Sequence, residues 1–169
     1  MPDLFIADTH FGHQKIIEYD KRPFKTVEEM DAALIRNWNR TASKHDRVFV
    51  LGDFSFYDNQ DTANIVSQLQ GHKILVMGNH DKKKIKDYYN MGFNEVYKHT
   101  IIVNEFLVLS HKPPEYYNEA TPYFYIYGHV HSTEMYPTIT KNTACVCTER
   151  WNYTPVKQKE IQRLVIACK

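Results

Sequence analysis

Short, unbroken apolar runs separated by amphipathic stretches set the pattern of this chain. Residues 4–7, 48–51, 74–77, 106–109 and 124–127 are each continuously apolar over four positions. A strand with one wet face would alternate, so these runs predict strands buried on both faces. Between the first two runs, Met30, Ala33, Leu34 and Trp38 recur at helical spacing behind Thr26. Glu29, three residues on from Thr26, completes a capping-box signal, and the helix is expected to run to about residue 40. Residues 58–69 predict a second helix with Ala63, Val66 and Leu69 on one face and Gly71 as its stop, and a third is expected to begin after Asp81. Strand and helix thus alternate over the first half, which predicts parallel βαβ units and an α/β fold, whereas the second half is richer in strands joined by short turns. The tail after Pro155 reads as a short helix or strand.

Composition narrows this picture. A chain of 169 residues with 43% hydrophobic and 24% charged residues can bury a core but has no room for two ordinary enzyme domains, so one domain over residues 1–169 is expected. No apolar run approaches the roughly 20 residues of a membrane-spanning helix, and no basic leader precedes residue 4; the expectation is a cytoplasmic protein without membrane partners. The net charge of +1 supplies no global field, so it does not indicate nucleic acid, although that partner stays open, as does a homo-oligomer. Cys145, Cys147 and Cys168 are too few for a disulfide framework and fit a reducing compartment, with packing as their expected role.

The chemistry lies at the ends of the runs. Each is followed at once by residues of metal-ligand type: Asp8-Thr9-His10, Gly52-Asp53, Gly78-Asn79-His80-Asp81, Ser110-His111, and Gly128-His129-Val130-His131. In an open α/β sheet ligands bind outside the carboxyl ends of the strands, so clusters far apart in sequence converge there. Carboxylate, imidazole and amide form a ligand set for Mn, Fe or Zn, and the lack of thiolates argues against a structural zinc site. Asp8, His10, Asp53, Asn79, His111, His129 and His131 are too many for one tetrahedral ion and suit two ions sharing a carboxylate. Two ions about 3.5 to 4 Å apart lower the pKa of a bridging water and clamp phosphoryl oxygens, giving a hydroxide at neutral pH.

In order and wording these motifs resemble the calcineurin-like metallophosphoesterases, and most of all their small single-domain bacterial and phage-type members, whose N-terminal motif is similar to Asp8-Thr9-His10-Phe11-Gly12-His13. The resemblance covers about residues 3–131. It implies a four-layer α-β-β-α sandwich of two facing mixed sheets flanked by helices, and hydrolysis of phosphate esters. It further implies one metal on Asp8, His10, Asp53 and His131 and a second on Asp53, Asn79, His111 and His129, with Asp53 shared. His80 matches the family's active-site histidine, which contacts phosphate or protonates the leaving oxygen, and Asp81 is expected to orient it. The cofactors expected are two divalent ions, Mn or Fe first and Zn or Ni acceptable.

The reading that follows is a dinuclear metal-dependent phosphoesterase acting on a phosphate ester, nucleotides among the candidates. Diesters are slightly favoured over monoesters, because His80 suits a poor alkoxide leaving group and no arginine pair marks a dianion site. The alternative is an inactive scaffold kept as a protein-binding module; that history predicts gaps among the seven ligands or at His80, and there are none. Beyond the ligands, His13, Arg22, Asn79 and His80 are candidate substrate contacts. Thr9 and Ser110 lack a triad and are not read as nucleophiles. Lys82, Lys83, Lys84 and Lys86 are expected on the first turn of a helix beside the anion site, read first as a solvated face and, as the alternative, as an attraction for phosphate or a nucleic-acid backbone. Phe54, Phe56, Tyr57, Tyr116, Tyr117 and Tyr123 are read mainly as packing between the sheets. Residues 141–155, with Glu149-Arg150-Trp151-Asn152-Tyr153, are singled out by position for specificity or a dimer contact.

Overall fold

The parallel strands β1 (Asp3–Ile6), β2 (Arg47–Val50) and β3 (His72–Val76) divide their apolar runs between two cores. Leu4, Ile6, Val48, Val50 and Leu75 face a helical layer, while Phe5, Ala7, Phe49, Leu51, Ile74 and Val76 face a second sheet. Burial on both sides is why these runs lack polar alternation. The computed structural model describes residues 2–116 and 120–167; Tyr117 and Cys168, named above, lie outside the described residues.

The helical layer is α1 (Gln14–Tyr19), α2 (Val27–Thr41), α3 (Asn59–Gln68) and α4 (Ile85–Asn90). Helix α2 starts where its cap predicts: Thr26 Oγ1 accepts from the Glu29 N–H at 3.2 Å. Glu29 reaches back one residue further than a capping box requires and accepts from the Lys25 N–H at 2.8 Å. Met30, Ala33, Leu34 and Trp38 are all buried beneath α2. Helix α3 is capped by Asp58, which accepts from the Asp61 N–H at 2.8 Å. Helix α4 begins later than expected, at Ile85, because residues 78–82 fold into a tight turn in which Asp81 N–H donates to Gly78 O and Lys82 N–H to His80 O. Lys82 and Lys83 therefore precede the helix, Lys84 caps it, and only Lys86 stands in its first turn.

Strand β4 (Glu95–Tyr97) extends the first sheet, and β9 (Val156–Lys157) closes its other edge, in the order β4-β3-β2-β1-β9. The first four run parallel and β9 is antiparallel to β1. The second sheet, in the order β5-β6-β7-β8, comprises β5 (Ile101–Val103), β6 (Leu107–Ser110), β7 (Phe124–Tyr127) and β8 (Thr143–Cys145). Only the β5–β6 hairpin is antiparallel. Leu107, Leu109, Ile126 and Ala144 meet the first sheet across the inner core, joined by Ile161 of α5 (Gln158–Ala167), so the tail is a strand followed by a helix. Two mixed sheets face one another, flanked by helices. At the rim they are tied directly: Ala7 N–H donates to Val146 O and Thr148 N–H to Ala7 O, at 2.9 and 3.1 Å. Among the described residues no helix is long and apolar enough to cross a membrane.

Candidate metal centre

β1, β2, β3, β6 and β7 all end at this rim, and the chain turns sharply as it leaves several of them. Asp8, His10, Asp53, His129 and His131 adopt positive φ angles of 58°, 53°, 52°, 72° and 46°. This left-handed region is unfavourable for most side chains, and such residues concentrate at functional sites. Gly78 passes so close to Asp53 that a Cβ there would collide with the carboxylate, and a Cβ on Gly128 would strike Ala7 and the Asp8 carboxylate. The strand exits thus bring ligand-type side chains together because backbone alone occupies the space between them.

Two groups form. Asp8, His10 and His131 make one, and Asp53, His111 and His129 the other, with the ligand atoms of each group within 4.8 Å of one another. His131 Nε2 lies 3.5 Å and His10 Nε2 3.9 Å from Asp8 Oδ1. Asp53 Oδ2 stands between the groups, 3.9 Å from His10 Nε2 and 3.5 Å from His111 Nε2. Asn79 Oδ1 joins the second group 2.9 Å from His111 Nε2, and His129 Nδ1 lies 3.1 Å from that same nitrogen. The structure therefore brings all seven sequence-predicted ligand residues to one place.

Their surroundings fit a divalent cation. Asp8 Oδ1 and His10 Nε2 are buried without a hydrogen-bond partner, an expensive arrangement unless something else satisfies them. The neighbouring polar atoms are fixed: Asp8 Oδ2 accepts from the His129 N–H at 2.7 Å, Asp53 Oδ1 from the His80 N–H at 2.8 Å, and His111 Nδ1–H donates to Leu51 O at 2.8 Å. Burial pushes the Asp8 carboxyl up, but the adjacent His10 imidazole and the charges of His131 and His111 outweigh it and hold its pKa at about 2. Burial pushes His131 down, yet hydrogen bonds to Asp20 and Glu149 and the charge of Asp8 raise it to about 10. His129 is lowered by burial and by neighbouring His111. Where the acids cluster, positive charge is held.

The other candidates divide. His80, its side chain 45% exposed, stands on the open side with Nε2 4.0 Å from Asp53 Oδ2. Asp81 does not aim at it. Its buried carboxylate instead accepts from the N–H groups of Asp53, Phe54 and Gly78 at 2.7, 3.2 and 2.8 Å, so it shapes the strand exits rather than orienting the His80 ring. Arg22 is also displaced from its expected role: its fully buried guanidinium donates to Asp8 O, Thr9 O and Glu149 Oε1 at 2.8, 3.0 and 2.5 Å, out of reach of a substrate. His13 stays at the mouth, its Nδ1 3.1 Å from His10 Nδ1 and its ring stacked on half-exposed Phe56 with centroids 4.0 Å apart. Burial, then His10 and His80, lower its pKa to about 4. The aromatic residues do not pack between the sheets as expected: Phe54 packs against Phe11 and Phe93 under the helices, the Tyr57 hydroxyl donates to Asp31, and Tyr116 is 92% exposed.

Sequence reasoning missed three neighbours of the ligands. Asp20 Oδ2 lies 2.7 Å and Glu149 Oε1 3.1 Å from His131 Nδ1. Buried Cys147 directs its Sγ at Asp8 Oδ2, 3.2 Å away, and burial raises its pKa well above that of a free thiol, so it serves as a neutral donor. Glu149 and Cys147 stand in the segment singled out by position; for Asp20 the sequence offers no signal. A groove of about 560 Å³ leads away from Asn79 and His111, lined by Lys98, His99, Lys112 and Tyr125 and, among the described residues, by no acidic one.

The chain is similar to several known proteins. An uncharacterized protein of Methanocaldococcus jannaschii is 34% identical over 167 residues, covering 95% of this chain and 89% of that one. The crystal structure of a protein of unknown function from Aquifex aeolicus superposes with a TM-score of 0.74 at 27% identity, covering 96% and 98% of the two chains. The Pseudomonas putida nuclease MPE shares the fold at a TM-score of 0.51 and 20% identity, over 76% of this chain and 61% of that one. The profile described as calcineurin-like phosphoesterase matches residues 1–151. Those residues contain every strand exit that supplies the two ligand groups, and the chain belongs to the calcineurin-like phosphoesterase family.

Proposed function

We propose that this protein is a dinuclear metal-dependent phosphoesterase with a preference for diesters. One observation carries the reading: the two ligand groups face each other across Asp53, whose Oδ2 lies within 4 Å of a histidine of each group. Two divalent ions held there would activate a water and neutralise the phosphoryl oxygens. Mn or Fe is favoured, since mixed oxygen and nitrogen ligation accepts several metals and availability decides among them.

The chain's own residues supply the rest. Asp8, His10 and His131 would hold one ion, His111, His129 and Asn79 the other, and Asp53 would contribute to both. His80 is fixed through its backbone N–H by Asp53 while its ring stays open to solvent, which suits it to place a proton on a departing alkoxide. With Arg22 buried on backbone carbonyls, none of the site's candidate contacts is an arginine free to pair with a phosphate dianion, and the cationic groove past Asn79 offers room for the second arm of a diester. The nuclease among the fold neighbours makes a nucleotide chain a reasonable form of that diester. Assays of Mn-loaded protein on bis-aryl and mono-aryl phosphates test this. Faster turnover of the diester is expected; a faster monoester reverses the preference, and no turnover of either removes the enzyme reading in favour of a binding scaffold.

A further inference from the structure

The His131 imidazole faces the ligand group with one nitrogen and two carboxylates with the other. Nε2 points to Asp8 Oδ1 at 3.5 Å, whereas Nδ1 meets Asp20 Oδ2 at 2.7 Å and Glu149 Oε1 at 3.1 Å. Asp20 closes α1 and Glu149 lies in the 3-10 turn Thr148–Trp151, so the two acids reach one ring from opposite ends of the chain. Arg22 joins them to the site. Its guanidinium donates to Glu149 and to the carbonyls of Asp8 and Thr9, the strained exit of β1, while Thr148 Oγ1 donates to the Asp8 carbonyl at 3.2 Å.

From this geometry we propose that Asp20 and Glu149, the latter held by Arg22, are positioning residues that keep the His131 proton on Nδ1 and present Nε2 to the metal of the Asp8 group. A metal-bound histidine needs its second nitrogen to donate to a fixed acceptor, which sets tautomer and ring orientation and strengthens the ligand. Stability alone does not account for the cluster. Glu149 Oε2 and Arg22 Nε are buried without hydrogen-bond partners, and a buried ionic group is often matched or bettered by apolar packing. Nor is this a further cation site, although Asp20, His131 and Glu149 have suitable spacing. Arg22 already occupies Glu149, and an imidazole bound to metal through Nε2 retains its proton on Nδ1.

The test reads metal rather than turnover, so it is independent of the proposed reaction. Calorimetric titration with Mn²⁺ alone should give two sites in the wild-type chain. In Asp20→Asn and Glu149→Gln, one site should weaken by about 10- to 100-fold while the other stays within about twofold, the range seen when a ligand's hydrogen-bond partner is removed. Unchanged affinity at both sites in folded variants overturns the proposal. A second measurement needs no variant: ¹⁵N spectra of the imidazoles in zinc-loaded wild-type protein should place the His131 proton on Nδ1, and a proton on Nε2 overturns the proposal however the variants fold. A wild-type chain that binds no Mn²⁺ removes the metal reading and this inference together, whereas one that binds two ions and hydrolyses nothing removes only the proposed reaction.

Discussion

At the scale of single residues the site separates metal binding from proton transfer. Asp53→Asn removes the charge placed between the two groups and should empty the pair, abolishing turnover of every ester; elemental analysis and activity check it together. His80→Ala leaves the seven ligands in place and should keep both metals while losing about 10²- to 10⁴-fold in rate, less for esters whose leaving group is already acidic. A variant that slows good and poor leaving groups equally would make His80 a phosphate contact instead. Asp31 gives a prediction without metal. It is buried beneath α2, accepting from Gly12 N–H and the Tyr57 hydroxyl, and burial raises its pKa from 3.8 to about 6 against those bonds. An acid whose folded pKa exceeds its unfolded one contributes stability that is complete below the unfolded value and is lost as pH climbs through the folded one. Between pH 4 and 7 the wild-type protein should therefore lose about 2 kcal/mol relative to Asp31→Asn, read from urea melts of both proteins. The ligands were legible because each follows an apolar run directly. Asp20 and Glu149 were not, because a group that acts on the far side of a histidine follows no strand and carries no spacing.

At the scale of elements, legibility followed length and burial. The runs behind β1, β2 and β3 were readable because two-sided burial leaves a continuous apolar signature, whereas β6 and β7, read from equally apolar runs, are each fully buried at two positions and only half-buried at the other two. Strands β4, β5, β8 and β9, of two or three residues each, give periodicity too little length to register. Helix α2 carried a cap as well as a pattern, and the cap makes a measurable contribution: Thr26→Ala frees the Glu29 N–H and should lower stability by about 1 kcal/mol without changing metal content. Chemical denaturation beside a metal assay distinguishes that loss from damage to the site. The late start of α4 was hidden because Asp81, although it resembles a helix start, spends its carboxylate on the exits of β2 and β3.

At the scale of the molecule, each ligand group draws on both sheets: Asp8 and His10 leave β1 and meet His131 from beyond β7, while Asp53 leaves β2 and meets His111 and His129. An ion in either group therefore fastens one sheet to the other, beside the backbone bonds of Ala7. With free metal 100-fold above its Kd, one site adds about 2.7 kcal/mol, which for a chain of this size corresponds to about 5 to 10 °C in Tm. Melting curves with Mn²⁺ and with excess chelator should differ by at least that much, and coincident curves would mean that the groups hold no ion. The same arrangement orders events during synthesis. Chains emerge and begin to fold from the N-terminus, yet neither group has a complete set of ligands until residues well past β6 have left the ribosome. The first sheet, with four of its five strands made before β5, must then form with its acids and imidazoles still unmetallated. Metal capture comes late, as the step that records the arrival of the second sheet, and a chain whose synthesis stops at α4 carries four of the seven ligand residues, Asp8, His10, Asp53 and Asn79, with no means of retaining the pair.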